Sequence, residues 1–354
     1  MTGIAFSTDS AWAATSSSDG TIVVWDTGRG TVLHEWPNHR GAWEVNALAF
    51  SPGGRRLVSA CDRTLTVWEI DIDAAQQVAI LEGHTGTVNT CAWSPDGALI
   101  ASASLDGMVR VWDGHTFGQR GVCQVLASPS WRVAQDLQFS PGARYLAWIS
   151  EGEDCCVWRP LKGEEPKTLR PHPDRSNIIL TTTFSFDHDS RYIATAHGNE
   201  DNEPDACVVR VWDAATGSVL VVLAGHSERV SNILFSPDGR SLLSTSGEMP
   251  VSVRVWDCRT WSVEQTCEIR DVEISHTSRK PCFSPDGKYV TTTSVRGVVR
   301  LWRTGDGESV ATFDKHASDT IVTYLAFSPN GRFLVSGDVR GIVHIHALSR
   351  FIGD

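Results

Sequence analysis

Short apolar runs, strand-length and rich in Val, Ile, Ala and Thr, alternate along this chain with polar turn sequences. The stretch Gly83–Asp113, GHTGTVNTCAWSPDGALIASASLDGMVRVWD, is the clearest example. It holds the runs Val88–Trp93, Leu99–Ala103 and Met108–Trp112, separated by SPDG and LDG. β-branched and small apolar residues at this length, bounded by Pro, Asp and Gly, predict three strands of an antiparallel meander.

The same pattern recurs. The aromatic ending the first strand returns at Phe6, Phe50, Trp93, Phe139, Phe186, Phe235, Phe283 and Phe327, at intervals of 43 to 49 residues. Turn words follow most of these positions, as SPGG at 51–54, SPDG at 94–97, 236–239 and 284–287, and SPNG at 328–331. The aromatic ending the third strand returns at Trp25, Trp68, Trp112, Trp158, Trp212, Trp256 and Trp302, with His346 in its place in the eighth copy. A period of this size identifies a repeat architecture, in which one sheet has two apolar faces and is stable only between neighbours.

Gly83-His84 and Gly225-His226 stand before first strands. Trp25-Asp26, Trp112-Asp113, Trp212-Asp213 and Trp256-Asp257 close third strands. On these residues the chain resembles the WD-repeat β-propeller family over essentially its whole length. Trp68-Glu69, Trp158-Arg159 and Trp302-Arg303 depart from the dipeptide. The resemblance implies an all-β, closed β-propeller of four-stranded blades. Eight inner triplets predict eight blades, at about 1–36, 37–81, 82–126, 127–169, 170–223, 224–268, 269–313 and 314–354, as a single domain. A seven-bladed ring is the alternative, but it leaves three strands without a place. Only seven outer strands follow the triplets. The eighth blade therefore either closes with three strands or draws a strand from upstream of Met1. One insertion, HGNEDNEPDA at 197–206, separates the second and third strands of the fifth copy.

Net charge is −11, which disfavours a general nucleic-acid or acidic-membrane surface, since such binding is mostly electrostatic. Nine cysteines form no C-x-x-C pair and mostly sit among apolar strand residues, as free buried thiols do in a reducing compartment. Cys155-Cys156 are expected as ordinary strand residues rather than a vicinal disulfide. The first ten residues carry no secretory leader pattern, and no apolar run approaches membrane-spanning length. A cytoplasmic protein is expected, with the nucleus as alternative.

Candidate chemistry is sparse. The family's structural hydrogen-bond network, carried onto this sequence, is matched fully by His84, Ser102, Asp106 and Trp112 and nearly by His39, Ser59, Asp62 and Trp68. Elsewhere it decays, with Arg296 and Arg340 expected where the turn Asp would stand in copies seven and eight. A Ser–His–Asp set also suggests a catalytic triad, but a tight-turn Asp and buried partners favour a structural role. The acidic run 200–205 lacks calcium-loop spacing and reads as a solvated loop. His344 and His346 share one side of a strand, yet two ligands do not make a zinc site. No phosphate-binding loop, H-E-x-x-H or G-x-S-x-G motif occurs. The expectation is a non-enzymatic protein with no cofactor and no metal.

The resemblance also implies a binding face, formed by first-strand starts and second-to-third-strand turns. On this chain it comprises Trp43, Glu44, Asn46, Thr87, Asn89, Leu105, Val133, Gln135, Arg229, Ser231, Arg279, Arg296 and Arg340. Trp43 and the arginines have interface-anchor chemistry. Arg279, Arg296 and Arg340 suggest a basic quadrant for an acidic or phosphorylated peptide. The expected function is a scaffold for partner proteins or peptides, as a monomer or within a larger complex, without nucleic acid or membrane. One alternative is the sensor or regulatory half of a longer signalling ATPase. A lower one is a propeller enzyme or small-ligand binder using the central channel.

Overall fold

A computed structural model describes residues 2–36, 44–124, 134–150, 154–170, 180–198, 206–247, 251–269, 282–293 and 296–351. Among them there is no helix, and therefore none long and apolar enough to cross a membrane. The strands form eight antiparallel sheets, each built from consecutive strands.

The first sheet contains β1 (Gly3–Phe6), β2 (Trp12–Ser16), β3 (Ile22–Asp26) and β4 (Thr31–Trp36). The second contains β5 (Val45–Phe50), β6 (Arg56–Cys61), β7 (Thr64–Ile70) and β8 (Ala75–Leu81). The third has β9 (Val88–Trp93), β10 (Leu99–Ser104), β11 (Met108–Asp113) and β12 (Gln119–Gln124). The fourth has β13 (Gln135–Phe139), β14 (Leu146–Ile149), β15 (Cys155–Trp158) and β16 (Lys167–Leu169). The fifth has β17 (Leu180–Phe186), β18 (Tyr192–Gly198), β19 (Val209–Asp213) and β20 (Val219–Leu223). The sixth has β21 (Val230–Phe235), β22 (Ser241–Ser246), β23 (Val251–Asp257) and β24 (Val263–Ile269). The seventh has β25 (Cys282–Phe283), β26 (Tyr289–Thr293), β27 (Val299–Arg303) and β28 (Ser309–Phe313). The eighth has only β29 (Val322–Phe327), β30 (Phe333–Asp338) and β31 (Val343–Ala347). This is an eight-bladed propeller with a three-stranded last blade, so the seven-bladed alternative falls. Val133, expected on the binding face, and the acidic run 200–205 lie outside the described residues.

The chain divides into two compact units, residues 1–152 with 156–167, and residues 153–155 with 168–354. Within each, apolar side chains fill the space between neighbouring sheets. One cluster joins Val58, Leu65 and Val67 of the second sheet to Val88, Cys91 and Trp112 of the third. Another joins Val109, Val111 and Cys123 to Leu137, Trp148 and Trp158. In the second unit, Val209, Val211 and Leu223 meet Val230, Phe235 and Trp256. The period-two strand explains this economy: the third-strand aromatic packs on one side and the alternating Val residues on the other.

The turn words set the register. In the third sheet, Ser94 Oγ donates to Asp96 Oδ1 at 2.6 Å and accepts from the Leu99 amide at 2.9 Å. Asp96 Oδ1 accepts from the Ala98 amide at 3.0 Å, and Gly97 supplies a φ of 75°. Where the word lacks glycine, a side-chain residue is held in the left-handed region instead: Ser10 at 62°, Ala143 at 54° and Ser190 at 59°.

Candidate interaction surface and the buried polar networks behind it

The predicted tetrad forms in the third sheet. Trp112 Nε1 donates to Ser102 Oγ at 3.0 Å, Ser102 Oγ pairs with His84 Nε2 at 2.8 Å, and His84 Nδ1 with Asp106 Oδ2 at 2.8 Å. Burial lowers the His84 pKa despite Asp106, so the ring is neutral, donates from Nδ1 and accepts the Ser102 proton at Nε2. Asp106 is pushed up by burial, but the Thr85 amide, His84 and the Met108 amide outweigh this and hold it below the usual carboxylate range. The order hydroxyl, imidazole, carboxylate imitates a hydrolase triad. Ser102, however, has no exposed surface, and its oxygen is capped by the indole. A nucleophile must reach substrate, so this group holds strands together instead.

Variants of the network occupy other sheets. In the sixth, His226 bridges Ser244 and Ser246, each at 2.6 Å, and Trp256 donates to Ser244 at 2.8 Å. In the fifth, the imidazole comes from the second strand itself: His197 Nε2 pairs with Thr195 Oγ1 at 2.6 Å, and Trp212 donates to the same oxygen at 2.7 Å. In the first, second and seventh sheets the indole donates to the second-strand hydroxyl, Trp25 to Thr15, Trp68 to Ser59 and Trp302 to Thr292. His39 lies outside the described residues. In the fourth, Trp158 donates to the Glu164 carbonyl at 2.8 Å.

The eighth sheet corrects the sequence reading. Arg340 does not replace the network's carboxylate; Asp338 supplies it. His316 Nδ1 pairs with Asp338 Oδ2 at 3.1 Å, His316 Nε2 with Ser336 Oγ at 2.8 Å, and Ser336 Oγ with His346 Nε2 at 2.9 Å. His346 thus gives Ser336 the N–H that an indole gives elsewhere. Two residues apart on β30, Ser336 and Asp338 face the same side, so the carboxylate arrives from the strand and not from the turn beyond it. That alternation is the sequence signal for Asp338, and it differs from the turn spacing that marks Asp106.

These networks hold the first-strand starts and second-to-third-strand turns. On the first unit, Glu44 is exposed ahead of β5, and Asn46 is half-buried, its Nδ2 donating to the Val88 carbonyl at 2.9 Å. Thr87 and Leu105 are brought together, because the Leu105 amide donates to the Thr87 carbonyl at 2.8 Å. Leu105 is 43% exposed, and Asn89 is half-buried on β9. Gly86 lets this turn approach: a Cβ there would meet the Asp106 nitrogen at 2.7 Å.

On the second unit, Arg229 lies against Gly198, where a Cβ would stand 2.3 Å from the Arg229 Cγ. Ser231 is exposed and donates to the Thr245 carbonyl at 3.2 Å. Arg296 is exposed on a turn. Arg340 is exposed and pairs with Asp319 at 2.6 Å, between exposed Val339 and Ile342. Gln135 opens β13, whereas Trp43, Val133 and Arg279 lie outside the described residues. Among the described residues no cluster of three or more His, Cys, Asp or Glu could hold a metal. Cys155 and Cys156 are both buried thiols and are not joined in a disulfide.

The family model "WD domain, G-beta repeat" matches residues 1–26, 30–69, 75–113, 217–249, 266–303 and 307–346, together more than half of the chain. The chain belongs to the WD-repeat family. The stretch between 113 and 217 that the model leaves unmatched holds the fourth and fifth sheets, whose networks depart most. Similar proteins include Protein HIR1 of Chaetomium globosum, 24% identical over 83% of this chain and 32% of that protein. Periodic tryptophan protein 2 homolog of Dictyostelium discoideum is 24% identical over 83% of this chain and 30% of its own length. Nuclear distribution protein PAC1 of Coccidioides posadasii is 26% identical over 78% and 60%. The chain therefore spans about a third of the first two relatives. The solved structure of the computationally designed Ika8 protein superposes with a TM-score of 0.75, at 24% identity, over 98% of this chain and 95% of that one. That likeness shows the fold.

Proposed function

We propose that this WD-repeat chain is a non-enzymatic scaffold that binds partner proteins or peptides on the face carrying its first-strand starts and second-to-third-strand turns. One observation carries the reading: the polar networks are spent on fixing those turns, while exposed Leu105, Val339, Arg340 and Ile342 stand on them. Apolar side chains beside arginine suit a hot spot, because the aliphatic surface is desolvated while the guanidinium fixes orientation. Rigid turns also lose little conformational freedom on docking. The hydroxyl–imidazole groups are buried, which speaks against hydrolysis at these positions.

Arg296 and Arg340 favour an acidic or phosphorylated segment. The Arg340–Asp319 pair is exposed, and such pairs hold about 0–1 kcal/mol, so a phosphate can displace Asp319. Affinity capture from an extract, comparing the native chain with an Arg296→Glu/Arg340→Glu variant and a Leu105→Asp variant, tests this. The charge-reversed chain is expected to lose acidic or phosphorylated partners while keeping its unfolding midpoint. Unchanged capture by both variants overturns the assignment of this face.

A further inference from the structure

In the third and sixth sheets a fixed cation stands beside the buried first-strand histidine. Arg110 lies near His84 and Arg254 near His226, and each charge disfavours a proton on its imidazole. The glycine before the histidine makes room for it. A Cβ at Gly83 would stand 3.2 Å from Arg110 Nη1, and one at Gly225 2.8 Å from Arg254 Nη1. A guanidinium does not titrate in proteins, so the surroundings of these two histidines keep a constant charge.

The eighth sheet rewrites three of these positions together. Lys315 takes the place of the glycine, His344 that of the arginine opposite the central hydroxyl, and His346 that of the tryptophan. The rings of His344 and His316 meet edge to face, with centroids 4.5 Å apart, and His346 lies 6.1 Å from His344. Phe313 of β28 packs on His346 at 4.5 Å. His344 Nε2 and His346 Nδ1 are buried and meet no hydrogen-bond partner among the described residues. A neutral ring leaves only a lone pair there, whereas a protonated ring leaves a charged N–H without an acceptor. Burial, His316 and Lys315 lower the His344 pKa, against Asp338 of β30 and a hydrogen bond to the Lys315 backbone. Burial, Lys315, His344 and His316 lower that of His346 to about 3.

The cluster is tied to the turn beyond β30. Asp338 Oδ2 pairs with His316, while its Oδ1 accepts from the Arg340 and Ile342 amides, each at 2.9 Å. We propose that the eighth sheet is an acid-sensitive clasp: below neutrality His344 and His346 gain protons by opening β31, ahead of the other sheets of the unit, and the turn 338–342 is released with it. The sign follows from linkage. Both histidines are held neutral when closed and take up a proton below about 6.5 when open, so falling pH favours the open form. The turn carries Val339, Arg340 and Ile342. The opening stands by itself, and only its effect on partner binding rests on the face proposed above.

Hydrogen exchange of the native chain at pH 6.5 and pH 5.5, each divided by the intrinsic rate at that pH, reads the opening. The sixth sheet, where His226 takes up one proton, is expected to open about five-fold more often at the lower pH. Amides 340–346 are expected to exceed that ratio, because two histidines respond. Lys315→Gly/His344→Arg restores the chemistry of the third and sixth sheets, and His344→Gln removes the titrating ring alone. In both, the ratio at 340–346 should fall to about five-fold, with the sixth sheet unchanged. If the double variant does not fold, His344→Gln decides alone. Equal ratios in the two sheets of the native chain, or an excess at 340–346 that survives His344→Gln, overturns the proposal. The capture experiment above bears only on the binding face, so failure of the clasp and failure of that face are told apart.

Discussion

Ser102 shows how one small polar side chain can hold three strands. Its hydroxyl joins an indole from β11 to an imidazole that arrives before β9, and it has no access to water. Ser102→Ala strands both nitrogens in a buried site, so a loss of about 2–3 kcal/mol is expected. Urea unfolding followed by tryptophan fluorescence measures it, with exposed Ser218→Ala as the near-neutral control. The imidazoles add a dependence on pH. Burial drops His226 from 6.5 to about 4, with Arg254 adding to the effect, and drops His346 to about 3. Both are neutral in the folded chain, while their unfolded counterparts take up a proton below 6.5. The unfolded state therefore binds more protons as pH falls, and stability declines from about 6.5 towards the folded values. Between pH 7 and pH 5 each costs about 2 kcal/mol. Repeating the urea series on His226→Gln should shrink that difference by about this amount; an unchanged slope would show that His226 is not the group responsible.

At the scale of the strand and turn, the alternation of apolar runs was enough to place all seven outer strands and the eight inner triplets. It succeeds because a strand's period of two and a glycine's positive φ are local properties. The word SPDG writes both the hydroxyl–carboxylate clasp and the left-handed residue into four letters. Where the letters change, the backbone keeps its shape at a cost. Ala143 sits at a φ of 54°, which an L side chain resists by roughly 1 kcal/mol. Ala143→Gly is expected to stabilise the chain by about 0.5–1 kcal/mol, and Gly97→Ala, at 75°, to destabilise it by a similar amount. Denaturant midpoints read both. The polar networks were only partly legible for a related reason. Asp338, Ser246 and His197 each reach the shared site from two residues beyond the central hydroxyl, by strand alternation and not by turn spacing. His84–Asp106 and His316–Asp338 share one separation, but the central hydroxyl stands four residues before Asp106 and only two before Asp338, so a rule built on the first hydroxyl spacing passes over the second. Trp43 and Arg279 were legible by residue type alone and lie outside the described residues.

At the scale of the molecule, the sheets within each unit depend on their neighbours, because apolar clusters span adjacent sheets. Cys91 and Trp112 share a cluster with Val58 and Val67 of the preceding sheet, and Cys123 shares one with Trp148 and Cys156 of the following sheet. The cysteines are therefore reporters of how far a local opening spreads. Burial pushes the Cys91 and Cys123 thiols up to about 12, so at pH 8 an alkylating reagent finds almost no thiolate until the surrounding sheets separate. Nearest-neighbour coupling means that loosening the third sheet removes one wall of each adjoining cluster. Ser102→Ala is thus expected to speed alkylation not only of Cys91 and Cys123 but also of Cys156, buried in the following sheet and sharing the Cys123 cluster. A loss of 2 kcal/mol corresponds to about a 30-fold increase in the open population. Peptide mapping after timed labelling reads each thiol separately. Acceleration confined to Cys91 and Cys123 would mean that a single sheet opens alone, and the interdependence of the repeats in this unit would have to be abandoned.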